Sequence, residues 1–154
     1  MKEKTVMMKA LLRLAMPVLV LFLCVGSARA GNDAEVKALV EKAVTMVEKS
    51  GLDATLKAIN DLKGPFVQGD LYIFAMSLDN LRLATGSLYS KHLLGTVGKK
   101  ELNTKMAEMA KKQGSGWIEY SWPKPNQTKP SLKRSYVMRV PGKDAYFGCG
   151  YYLK

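Results

Sequence analysis

The sequence predicts an α+β fold, a single domain with an antiparallel sheet and helices packed on one side of it. Three observations carry that reading. Two amphipathic helical stretches precede any strand. Residues 71–85 have the pattern of a hairpin. Three strand-like segments then close the chain in meander order, after a third helix. The chain has 154 residues, enough for one domain and not for two.

The first helical stretch carries Val36, Leu39, Val40, Ala43, Val44 and Val47 at helical spacing, with Lys37, Glu41, Lys42, Glu48 and Lys49 on its other side. Asn32 and Asp33 are suited to cap it, and Ser50-Gly51 to end it. Asp53 is placed to cap a shorter helix with Leu56, Ile59 and Leu62, stopped by Lys63-Gly64-Pro65. Residues 71–76 form a near-continuous apolar run of strand formers. Asp79-Asn80 supplies a turn. Residues 81–85 then alternate, with Leu81, Leu83 and Thr85 on one face and Arg82 and Ala84 on the other. Residues 86–98 read as an irregular loop, long enough to serve a function. A third helix follows, with Leu102, Met106, Met109 and Ala110 as its stripe and Gly114 as its stop.

Residues 114–125 hold both tryptophans of the chain. Trp117, Glu119 and Ser121 fall on one face of a strand, and Ile118, Tyr120 and Trp122 on the other. Pro123 and Pro125 stop it. These aromatics suit a sheet core and a ligand pocket equally. A polar, proline-bounded turn leads to a strand over 132–140, a tight turn at Pro141-Gly142-Lys143-Asp144 and a last strand over 145–153.

Residues 1–30 have the layout of a secretory signal peptide: Lys2, Lys4, Lys9 and Arg13, an apolar run over 14–25, then Ala28-Arg29-Ala30 before Gly31. The run falls short of the ~20 residues a membrane span needs. The competing reading is an uncleaved anchor. Cleavage after Ala30 leaves residues 31–154 as the domain, long enough for an independent core. The whole chain has 24 basic and 13 acidic residues, net +11. The first thirty hold five basic and one acidic, so the remainder carries +7. That favours the approach of anions; the scattered lysines do not mark a nucleic-acid partner. With Cys24 removed, Cys149 stands alone, which excludes an intrachain disulfide, a paired-cysteine metal site and covalent haem attachment.

Catalysis finds no support. His92 is the single histidine, no nucleophile has a motif around it, and no carboxylate pair, metal cluster or phosphate loop is recognisable. The expectation is a protein that is not an enzyme and needs no cofactor or metal. Binding of a small anion fares better, since that requires a cation and an aromatic or apolar lining. Tyr120 and Trp122 share a strand face, Tyr136 on the neighbouring strand is placed to complete a cage, and Lys133, Arg134 or Arg139 to supply charge, with Arg82 and Lys91 as the fallback cations. Alternation puts Lys133 and Arg139 on one face and Arg134 and Tyr136 on the other. A bulge or the strand entry is therefore needed to bring Lys133 and Tyr136 together. The plain alternative for each cation is a solvated outer face.

Several segments together resemble the single Cache domain of extracytoplasmic bacterial sensors. They are Gly69-Asp70-Leu71-Tyr72-Ile73-Phe74 with Leu78-Asp79; Gly114-x-Gly116-Trp117-x-x-Tyr120-x-Trp122-Pro123-x-Pro125; Lys133-x-Ser135-Tyr136-Val137-x-Arg139-Val140-Pro141-Gly142; and Gly148-x-Gly150-x-Tyr152. The similarity covers essentially all of residues 31–154. It implies a PAS-like, five-stranded antiparallel sheet with the long N-terminal helix packed on it, and a small-molecule pocket on the side away from that helix. It also implies a small organic acid, such as a short carboxylate, as ligand, and a membrane receptor or kinase as partner. The sequence departs from the family at Asn80, where a glycine is usual, and at Ala84-Thr85 and Ser90-Lys91, where Ala-His and Asn-Pro are usual. The expectation is thus an exported, periplasmic or secreted sensor-type domain. The alternative is a non-sensing module that docks on a receptor or self-associates as a homodimer through its long helix.

Overall fold

The structure is a computed structural model that describes residues 27–125 and 127–154. The basic start and apolar run of the expected leader lie outside the described residues.

Helix α1 spans Ser27–Ser50 and buries the expected stripe, Val36 through Val47, against the sheet. It runs straight through Asn32 and Asp33, which therefore do not cap it. The Asp33 carboxylate is instead engaged by Arg134 and Tyr151. Helix α2 is Leu52–Asn60; Gly51 takes its N-cap position, Asp53 lies in the first turn, and Leu62 falls beyond its end. Asp53 thus acts on the helix only through its charge near the positive end of the dipole.

The apolar run over 71–76 divides instead of forming one strand. β2 (Leu71–Tyr72) pairs with the short β1 (Val67–Gln68), and β3 is Phe74–Ser77. Ile73 between them is diverted: its N–H bonds to the Phe66 carbonyl at 3.1 Å, and its own carbonyl accepts from Gly86 at 2.9 Å. β4 is Arg82–Thr85. In the turn before it, Asn80 takes φ 72°, the left-handed conformation that asparagine tolerates in place of the usual glycine. The loop that follows contains a 3-10 helix, Leu88–Leu93. Then come α3 (Lys100–Gln113), β5 (Ser115–Pro123), β6 (Pro130–Arg139) and β7 (Ala145–Tyr152).

The five-stranded sheet has the order β4-β3-β7-β6-β5, antiparallel throughout. β7 is central and buried on both faces, which explains why it reads as a continuous run and not as an alternation. Ala145, Phe147, Cys149 and Tyr151 face α1. Tyr146 faces the other way with Phe74, Met76, Val137 and the α3 residues Met106, Ala107 and Ala110. Helices therefore cover both faces, α1 on one and α3 on the other, and the expectation of one-sided packing is corrected. Gly148 has a packing reason: a Cβ there would run into the Phe74 ring.

The alternation expected over 81–85 also fails at one point. Ala75 pairs with Ala84, but Met76 pairs with Arg82, so Leu83 is the extra residue of a β-bulge. Ala84 faces the α1 core while Arg82, two residues away, is turned to the opposite face.

Candidate functional site

The site lies on the face of the sheet away from α1. One cross-strand row runs Tyr120, Lys133, Tyr152 over β5, β6 and β7. Tyr72 and Phe74 come in from the neighbouring strands, and Arg82 arrives by the bulge. Below them Leu102, Asn103 and Met106 of α3 close a small chamber with Tyr72, Phe74, Met76, Arg82, Tyr120 and Trp122. Its free volume is about 20 Å³, room for roughly one water molecule. An outer cleft of about 300 Å³ shares Arg82 and Trp122 as walls and continues over Tyr89, His92, Lys99 and Thr128.

Two cations are buried here. Lys133 is 0% exposed, and its Nζ has no hydrogen-bond partner. It is wrapped in aromatic rings instead, 3.9 Å from the Tyr72 ring centre, 5.1 Å from Tyr152 and 6.0 Å from Phe74. Arg82 is 6% exposed, its Nε is unpartnered, and its guanidinium lies 5.6 Å from the Trp122 ring centre. Among the described residues, no carboxylate pairs with either. Asn103, 5% exposed, adds a third buried donor, an amide Nδ2 without a partner.

The electrostatics follow from this burial. Desolvation opposes the Lys133 charge, but the oxygens of Tyr72 and Tyr120 outweigh it and the net shift is upward. That pull reaches full strength only as the phenols ionise. Burial also acts to raise the Tyr72 phenol, and Lys133 reverses that into a net downward shift. Burial raises Tyr120, against the fields of Lys133 and Arg82, and its hydroxyl shares a 3.0 Å hydrogen bond with Ser135. Burial lowers Arg82. Tyr152 is fixed by donating to the Pro123 carbonyl at 2.6 Å.

The structure brings together three of the five residues singled out from sequence. Tyr120 and Trp122 line the chamber. Lys133 sits directly behind the Tyr72 ring. Tyr136 is on the other face, 5.2 Å from the Trp117 ring centre and within the α1 core, because β6 runs without a bulge through this stretch. Arg139 shares the Lys133 face but stands six positions along the strand, about 20 Å away, where its N–H bonds to the Gly114 carbonyl at 2.8 Å. Sequence reasoning held Arg82 only as a fallback cation and passed over Tyr72, Asn103 and Tyr152. The divided run at Ile73 concealed Tyr72, and the bulge concealed Arg82. No sequence signal marked Asn103. Cys149, on the α1 face of β7, is buried, and burial pushes its thiol up to about 11.

The arrangement presents buried positive charge and unmatched donors in an aromatic chamber. Such a chamber can hold an acceptor-rich anion; it offers no nucleophile–base pair to a substrate.

The Cache domain family matches residues 33–154. Among solved structures, a periplasmic sensor domain of a chemotaxis protein is similar at 24% identity and TM-score 0.60, covering 82% of this chain and 92% of that one. A Cache chemosensory domain described for carboxylic acid recognition is similar at 20% identity and TM-score 0.63, covering 82% and 95%. A methyl-accepting chemotaxis protein from Vibrio parahaemolyticus is similar at 18% identity and TM-score 0.66, covering 82% and 91%. Likeness at these identities speaks for the fold alone. No curated protein matches the chain.

Proposed function

The chain belongs to the Cache domain family, and from that premise we propose that its Arg82-lined chamber, backed by Lys133 behind the Tyr72 ring, binds a small organic anion, a short carboxylate, and passes occupancy to a membrane receptor or kinase. Cache domains are extracytoplasmic sensory domains and not enzymes. Among the described residues, no helix is long and apolar enough to cross a membrane. Residues 1–30 act as a cleaved leader and residues 31–154 as the exported domain.

The single observation that carries the reading is the pair of buried cations without a carboxylate. An uncompensated buried charge costs several kcal/mol. A fold that keeps Arg82 and the Asn103 amide on the chamber, with Lys133 directly behind its Tyr72 wall, is suited to a ligand that brings the missing negative charge. The solved neighbour described for carboxylic acid recognition supports the same class of ligand. Since the chamber holds about one water, entry requires a wall to yield. Trp122, shared with the outer cleft, is the wall best placed to do so.

The test is a thermal scan of the chain against acetate, propionate, butanoate and pyruvate. At ~100 times its dissociation constant, a true ligand adds about 2.7 kcal/mol to the folded state. A midpoint raised by one of these acids and unmoved by chloride or sulfate supports the reading. If no acid moves it, the docking module, on a receptor or a second copy, takes its place.

A further inference from the structure

The anion site and helix α1 lie on opposite faces of the sheet, yet the same two strands serve both. Lys133 pairs with Tyr152, and the next position, Arg134, pairs with Tyr151. Alternation sends the first pair into the site and the second pair toward α1. There they meet Asp33. Arg134 Nε lies 3.1 Å from Asp33 Oδ1 and Nη2 lies 3.2 Å from Oδ2, a two-pronged contact. The Tyr151 hydroxyl donates to the same Oδ1 at 3.0 Å. Arg134 is steadied by Glu119 at 3.2 Å and by the Trp117 ring, whose centre is 4.5 Å from the guanidinium carbon.

We propose that Arg134 and Tyr151 are positioning residues that couple the anion site to the N-terminal part of α1 through Asp33. Among the described residues, the buried part of α1 that packs on the sheet is a stripe of valine, leucine and alanine. Apolar packing is non-directional and tolerates small slides. The forked contact does not, because charge-assisted hydrogen bonds weaken steeply once distance and angle drift. Lys133 and Arg134 share a peptide unit, as do Tyr151 and Tyr152. A displacement of Lys133 or Tyr152 on the site face is therefore imposed on the partners of Asp33 on the other. A small strand shift that apolar packing would absorb is thus delivered to one end of α1. The ligand that drives the shift rests on the function proposed above; the coupling itself is testable without it.

The experiment is hydrogen exchange by mass spectrometry on the full chain. Residues 33–40 of α1 report, and α3 serves as the internal reference. Lys133→Met perturbs the site face alone. It is expected to change exchange over 33–40 by about fivefold relative to α3, the lower end of ordinary coupling. In an Asp33→Asn background the same substitution is expected to leave 33–40 unchanged. Tyr152→Phe, a smaller perturbation that removes only the hydroxyl, provides the same comparison should Lys133→Met fold poorly. Equal exchange over 33–40 in the parent and both site variants overturns the coupling, as does an effect that survives Asp33→Asn. Saturating sodium acetate is the second arm. Coupling seen with the variants but no thermal or exchange response to acetate or the other acids upholds the coupling and removes the carboxylate reading.

Discussion

Arg82→Met isolates the charge that the bulge turns into the chamber. Methionine keeps most of the apolar stem and removes the guanidinium. Without ligand, two effects oppose each other. The stacking on Trp122 at 5.6 Å is lost, worth about 1–2 kcal/mol for a desolvated cation. The burial of a charge lacking a carboxylate is relieved, worth several kcal/mol in the other direction. The unliganded midpoint should therefore stay level or rise. With ligand the outcome is one-sided. A charge-assisted hydrogen bond contributes about 1.5–3 kcal/mol, so losing one or two of them weakens binding roughly a hundredfold.

The assay is the midpoint shift at a fixed acid concentration, ~100 times the parent's dissociation constant. The parent gains about 2.7 kcal/mol, which for a domain of this size is roughly 8–16 °C. The variant, now near its own dissociation constant, gains about 0.4 kcal/mol, or roughly 1–2 °C. Arg139→Met is the control, since Arg139 stands at the far end of β6. It should respond in full. A full response from Arg82→Met, or a lost one from Arg139→Met, refutes the assignment of the site.

Two further outcomes follow from the packing of β7, and a third from the sequence of the expected leader. The Cys149 thiol is raised from 9.0 to about 11, so the folded state favours the neutral form. Its contribution is complete below pH ~9 and is lost as pH rises toward ~11, about 2–3 kcal/mol in all. Cys149→Ala should flatten the fall of stability over that window, and parallel curves for parent and variant would refute this. Gly148→Ala sets a methyl against the Phe74 ring; it should cost about 1–3 kcal/mol in chemical denaturation and shrink the acid response, because the displaced ring intrudes on the chamber. Intact-mass analysis of exported protein should find Gly31 at the N-terminus, and a membrane-held full-length chain would refute cleavage.

The fold was legible where one physical rule governed a segment. The stripe from Val36 to Val47 obeys helical spacing over about three turns, so its burial was readable in advance. The meander of β5, β6 and β7 was readable because Pro, Gly and Asn mark its turns. The pairing of β3 with β7 was not, because a contact between residues some seventy positions apart leaves no local trace. The two-sided cover of the sheet was missed for a related reason: a central strand buried on both faces shows no alternation to reveal which helix lies where.

The site was legible only in part because it is assembled where those local rules give way. Tyr120, Trp122 and Lys133 sit on regular strands, where alternation and the β5–β6 register put them on one face. The same rule, applied strictly, separates Tyr136 from Lys133, and the structure obeys it. Arg82 is different. Read as regular strand, it belongs with Ala84; Leu83, the one extra residue, divides them. A bulge has no composition signal strong enough to read in a single sequence, yet it decides whether a guanidinium is turned toward the α1 face of the sheet or into an aromatic chamber. Tyr72 is set by a comparable interruption, the diversion of Ile73 to Phe66 and Gly86. The anion-binding face thus combines side chains that the strand period dictates with side chains that a break in the period re-aims. Arg82 and Tyr72, the re-aimed ones, bring the second cation and the ring that covers the first. Deleting Leu83 makes Arg82 and Ala84 neighbours, so ordinary alternation keeps Arg82 paired with Met76 on the chamber face. Acid binding should therefore survive this deletion while Arg82→Met loses it, and a deletion variant that folds but no longer responds to acid would refute this account of the bulge.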